Sequence, residues 1–148
     1  MLENLYDLED GLETLMFEDP SPAPEDLARL LHNVYPNSQY QPVETSRDIR
    51  INSRRIRCND TIAFTDHGKL LIGKLIRCGR CADGALAVVE PCELIKQRPS
   101  GACRLRPHDY LVVVDIAAVI EPLIYSKTNE NGVHEVIVPV ALLARFPG

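Results

Sequence analysis

The spacing of apolar and polar positions changes period near residue 46. Before it, Leu2, Leu5, Leu8, Leu12 and Leu15 recur in steps of three and four, which predicts one stripe of a helix over residues 1–18, with acids on its other face. Gly11 interrupts that stretch and costs about 1 kcal/mol relative to Ala, so such a helix needs a surface to dock against. Pro20, Pro22 and Pro24 then alternate with Ser21 and Ala23, which predicts a stiff, extended linker. Pro24 suits the first turn of a second helix, and Glu25 and Asp26 suit its positive end. Leu27, Leu30, Leu31 and Val34 form its apolar face, and Pro36 stops it, because the residue before a proline resists the helical region. Residues 36–46 read as a connector.

From Arg47 onward the period is two. Thr61–Thr65 reads as a strand, and Asp66-His67-Gly68 as a turn with Gly available for a positive φ. Lys69–Cys78 returns from it, Asp83-Gly84 marks the next turn, and Ala85–Glu90 forms a third strand. Tyr110–Val114 is a β-branched run. A further strand over about 119–126 leads to Asn131-Gly132, a strong hairpin signal, and 133–140 returns from it. Residues 141–146 read as a short helical turn. Five or six short strands on tight turns, with no helices between them, predict a mainly β fold: a small antiparallel barrel, partly open and SH3-like, with an OB-like barrel as the alternative. Two helices precede it. The expected organisation is an arm with a Pro-rich linker over 1–45 and a β-barrel domain over 46–148.

Charge divides at the same place. Residues 1–45 carry ten acids and one base, Arg29, whereas 46–148 carry fifteen Lys and Arg against eleven Asp and Glu. An acidic arm thus precedes a mildly basic body, and the two are candidate partners for each other, within one chain or between two. No stretch approaches the roughly 18–20 apolar residues that a membrane helix requires. The acidic start is unlike a secretory signal, so the five cysteines are expected as free thiols inside the cell.

Arg47, Arg50, Arg54, Arg55 and Arg57 cluster within eleven residues and alternate with Ile49, Ile51 and Ile56. This predicts an edge strand with arginines outward. A guanidinium grips carboxylate or phosphate through two parallel hydrogen bonds. The candidate binding residues are therefore Arg50, Arg54, Arg55 and Arg57, joined by Leu5, Leu8, Leu12 and Leu15 on the arm. The leucine stripe equally serves to cover the barrel's open end or to form a dimer. Nucleic acid is the alternative ligand, opposed by the small net charge and the interspersed acids. Only Phe64, Tyr110, Tyr125 and Phe146 are available in the body for stacking bases or caging a methylated cation.

Cys78-Gly79-Arg80-Cys81 has the gap of a zinc knuckle, and Cys92 and Cys103 complete a possible set of four. The hairpin expectation opposes it. If 69–78 pairs with 85–92, Cys92 lies opposite about residue 71, on the order of 23 Å from Cys78 at ~3.3 Å per residue. No metal or other cofactor is expected. His32, His67, His108 and His134 fall in no metal-protease arrangement, and the chain lacks a phosphate-cradling glycine loop and a nucleophile elbow. A non-enzyme is the expectation.

Arg57–Phe64 with Gly68–Arg77 resembles the opening hairpin of BAH-type (bromo-adjacent homology) modules and of the β-rich tails of transposase-like proteins. Val89-Glu90-Pro91 is similar to the end of the strand that follows. The resemblance spans about residues 50–140. It implies a non-catalytic interaction module of chromatin or mobile-element proteins, hence a protein partner and a nuclear rather than cytoplasmic setting. The chain departs from methyl-lysine-reading members in its scarce aromatics, so no reader residues transfer.

Overall fold

The computed structural model describes residues 14–38, 41–97, 102–128 and 134–137. The chain is mainly β, with antiparallel pairings throughout and one α-helix among the described residues. The strands in chain order are β1 (Leu15–Glu18), β2 (Ser21–Pro22), β3 (Glu44–Ser46), β4 (Asp48–Ile51), β5 (Arg54–Arg57), β6 (Thr61–Asp66), β7 (Lys69–Cys81), β8 (Gly84–Gln97), β9 (Ala102–Pro107), β10 (Val112–Asp115), β11 (Val119–Pro122), β12 (Ile124–Thr128) and β13 (His134–Ile137). The helix α1 covers Glu25–Val34, and a 3₁₀ turn over Ile116–Ala118 joins β10 to β11.

Two sheets result. The small one has the order β1-β4-β5. The large one runs β11-β6-β7-β8-β9-β13-β12, with β10 paired to β8 and β3 paired to β7. It is not closed into a barrel. The hairpins follow from turn chemistry: Asn52-Ser53 and His67-Gly68 both hold positive φ at two successive residues, at 52° and 70° and at 51° and 79°. That conformation matches the twist of the strands it joins.

The main core lies between the sheets. Phe17, Ile49, Ile51 and Ile56 from the small sheet meet Ile62, Phe64, Leu75, Cys78, Ala87 and Val89 from the large one. Val114, Ile116 and Val119 close one side. A second cluster, on β6, β7, β8 and β9 with Leu123 after β11, holds Ala63, Leu70, Ile72, Cys92, Cys103, Leu105 and Leu123. The third lies beneath α1, where Leu27 and Leu31 are fully buried against Val43, Leu86 and Val88. Gly79 makes that docking possible: a Cβ there would stand 2.6 Å from Leu31 Cδ1.

Several expectations are corrected. Leu15–Glu18 is a strand paired with β4, so the expected first helix does not reach its end; residues 1–13 lie outside the described set. Competition from a buried ladder outweighs a helical leucine stripe broken by Gly11. The second helix stands as expected, ending before Pro36. The hairpin of β7 and β8 is longer than expected, and β9 was not anticipated. The single strand expected near 119–126 breaks at Leu123, which is buried and donates its N–H to Thr61 O at 2.8 Å. The expected helical turn over 141–146 lies outside the described residues.

Candidate interaction surface

The sequence Asp48-Ile-Arg-Ile51 followed by Arg54-Arg-Ile-Arg57 alternates apolar and charged residues, so a hairpin must send the isoleucines to one face and charge to the other. Register shows the result. Phe17, Ile49 and Ile56 stand opposite one another across β1, β4 and β5 and are buried. On the outer face Met16, Arg50 and Arg55 form one row, and Glu18, Asp48 and Arg57 the next.

This outer face is a charge lattice. Arg50 Nε lies 3.1 Å from Glu18 Oε1. Arg55 grips both oxygens of Asp48, with Nε at 3.0 and 2.9 Å. The hydrogen bond from Arg55 holds the Asp48 carboxyl below the usual carboxylate range, and Asp48 in turn raises Arg55. Arg57 is exposed, and among the described residues no carboxylate is ion-paired with its guanidinium. Met16 is the one large apolar side chain on the face among the described residues, 54% exposed.

Structure therefore gathers Arg50, Arg55 and Arg57 and separates Arg54. The register puts Arg54 in the row of Leu15 and Ile51, and its guanidinium reaches Glu121 of β11, 3.1 Å away. A charged group at this position discourages strand addition on β5. Leu15 is half-buried and packs against the main core. It forms part of β1 and is not a residue of a free arm. Leu5, Leu8 and Leu12 lie outside the described residues. The start of β1 is pinned by Asn52, whose N–H donates to Thr14 O and whose Oδ1 accepts from Thr14 N–H, each at 3.0 Å.

The cysteines do not converge. Cys92 stands opposite Ile72, six positions from Cys78 along β7. Cys78 belongs to the main core, whereas Cys92 and Cys103 belong to the second cluster. Burial pushes the Cys78 thiol up strongly and that of Cys92 up to about 12, which disfavours the thiolate that a metal requires. Among the described residues no three Cys, His, Asp or Glu side chains cluster at ligating distance. One groove lies on α1, lined by Glu25, Ala28, Arg29, His32, Asn33 and Pro36; Arg29 is paired there with Glu25 at 2.7 Å.

Two features escaped sequence reasoning. The sequence did not single out Asp48, although it aligns Arg55; its alternation with Arg50 was the available signal. The exposure of Tyr110, Leu111 and Val113 was also missed. Five consecutive apolar residues in an alternating strand carried that signal, because both faces cannot be buried unless both are covered.

No described helix is long and apolar enough to cross a membrane. No family model matches this chain, and no curated protein matches it.

Proposed function

We propose that the chain is a non-catalytic protein-interaction module that binds an acidic segment of a protein partner on the outer face of β1, β4 and β5. The observation that carries this reading is the exposed Arg57 guanidinium, without a paired carboxylate among the described residues, beside Arg50 and Arg55, which Glu18 and Asp48 already hold in place. A guanidinium fixed by a neighbour loses less side-chain freedom on binding. Met16, on the outer strand β1, adds an apolar contact at the edge of the face. Leu5, Leu8 and Leu12 of the acidic-apolar arm, which lie outside the described residues, join the proposed binding set on the strength of the sequence alone.

Nucleic acid is the weaker reading. A phosphate backbone laid on this face would meet Glu18 and Asp48 as well as the arginines, and Arg54 is turned toward Glu121. The order β11-β6-β7-β8-β10, with a 3₁₀ turn between β10 and β11, supports a partly open SH3-like arrangement. A chromatin or mobile-element setting rests on the BAH resemblance alone.

The test is quantitative affinity capture with the full chain and with Arg57→Glu, circular dichroism confirming that both fold. A partner retained by the parent and lost by the variant supports the proposal. Equal capture by both chains contradicts it.

A further inference from the structure

A second surface lies on a different face of the molecule. Strands β9 and β10 lie along the same side of β8: β9 pairs with Cys92–Gln97 and β10 with Leu86–Val89. Between them the His108 N–H donates to Pro91 O at 2.8 Å, so the two nearly form one continuous strand. Their outer neighbours differ. β9 has β13 on its far side, whereas among the described residues β10 pairs with β8 alone. The sheet therefore has a step, in line with β13, where every second residue of β10 directs its N–H and C=O away from β8.

The side chains at this step are apolar and exposed: Tyr110 at 55%, Leu111 at 54% and Val113 at 41%. His108 stacks on Tyr110 with ring centroids 5.2 Å apart, which braces the entry. Exposed Asp109 and Asp115 bracket the apolar run. Asp115 accepts a hydrogen bond from Ala117 N–H at 2.9 Å, which fixes its carboxyl at the end of the strand. Nearby Arg106 is already paired with Glu93 at 3.2 Å.

We infer that β10 takes an added strand from a protein partner: an extended segment with two apolar residues at alternate positions and a basic residue at each end. Main-chain bonds to the edge of β10 that no described strand occupies give affinity, and the alternate side chains give selectivity. The charge pattern disfavours the simplest competitor, a second copy of β10. Antiparallel self-pairing centred on Val112 would set Leu111 against Val113 of the other copy, but it would also set Asp109 against Asp115 at both ends. Like charges directly opposite destabilise a strand pair. Basic flanks convert the same two positions into attractions.

The test uses a fluorescein-labelled heptapeptide alternating Thr with Arg, Val, Leu and Arg, and a second peptide with Glu in place of both Arg residues. Binding to the full-length chain is followed by anisotropy, and the β10 amides by hydrogen exchange. The inference expects saturable binding of the basic peptide at least tenfold tighter than the acidic one, with slowed exchange in β10. Val113→Lys should weaken it at least tenfold, and Asp109→Lys, which leaves Asp115 in place, should erase the preference between peptides. Arg57→Glu should leave it unchanged, which separates this surface from the arginine face. Equal binding of both peptides, no binding, or binding indifferent to Val113→Lys would overturn it, as would protection of β10 by self-association without peptide.

Discussion

Asp26 of α1 and Arg77 of β7 are ion-paired across 51 positions of sequence, joining the first turn of the helix to the large sheet. The relationship recurs. Glu18 pairs with Arg50, and Glu44 with Arg80 at 3.0 Å, while Arg80 also lies over the Phe17 ring at 4.6 Å. Within the described residues, then, acids of the N-terminal third meet arginines of the remainder inside one chain. The uneven charge of the sequence is partly resolved by this internal pairing.

That pairing sets a pH dependence. The Arg77 hydrogen bond lowers the Asp26 pKa, and the Arg55 hydrogen bond lowers that of Asp48. A carboxyl whose folded pKa is depressed stabilises the fold above its unfolded value, about 4, and loses that contribution as pH falls through the folded value. Thermal unfolding midpoints should therefore hold between pH 7 and 5 and drop below pH 4. Asp48→Asn should flatten part of that drop; an unchanged acid limb in the variant would contradict the assignment.

Ser46 is a buried junction. Its hydroxyl contacts the carbonyl oxygens of Glu18 and Asp48 and accepts from Asp48 N–H at 3.2 Å, so one oxygen ties β1 to the start of β4. Ser46→Ala removes the one O–H donor that these part-buried carbonyls share, which costs about 1–3 kcal/mol. Urea unfolding measures it, and a loss below roughly 0.5 kcal/mol would show that the junction is dispensable.

Two glycines admit close approach, with different tolerance. A Cβ on Gly73 would stand 2.7 Å from the Glu90 carbonyl oxygen, a backbone atom; on Gly79 it would meet the tip of Leu31 at 2.6 Å. A side-chain tip yields more easily than a backbone strand. Gly73→Ala should therefore destabilise more than Gly79→Ala, by about 1–3 kcal/mol for the former. The reverse order in urea melts would contradict the packing described.

Thiol reactivity should follow burial. Cys78 and Cys92 are buried with raised pKa values, whereas Cys81 is partly exposed. At pH 8 a disulfide reagent should modify Cys81 before Cys78 or Cys92, and those two only after unfolding. Mass spectrometry of partly labelled protein reads the order directly.

How legible the chain was depended on local signals. The helix over 25–34 showed because its apolar spacing, its acidic first turn and Pro36 agree. The β6–β7 hairpin showed because Gly68 accepts a positive φ. The expected opposite of Cys92, about residue 71, is Ile72: the hairpin turns more tightly than expected, with Cys81 opposite Gly84, which shifts the register by two, and the bulge between Leu75 and Arg77 takes one back. The arginines were legible as an edge, but not which of them share a face: Arg54 follows a turn at Asn52-Ser53 that puts it in the inner row with Ile51. β1 was illegible because its partner, β4, lies some thirty positions away, and a leucine stripe looks the same whether helical or not until the partner is known. The step at β10 depends on β13 pairing with β9 while, among the described residues, β10 pairs with β8 alone, which no local pattern records.

The most direct test of the arginine face compares two ligands on one chain. Anisotropy is measured with a labelled Glu- and Leu-containing peptide and with a 20-base-pair DNA duplex, from about 50 to 200 mM salt, for the parent chain and Arg57→Glu. The account predicts saturable peptide binding that Arg57→Glu abolishes, and no measurable duplex binding at the lowest salt. Duplex binding that falls with a log–log slope near −0.9 per phosphate neutralised, and that disappears in Arg57→Glu, would contradict it.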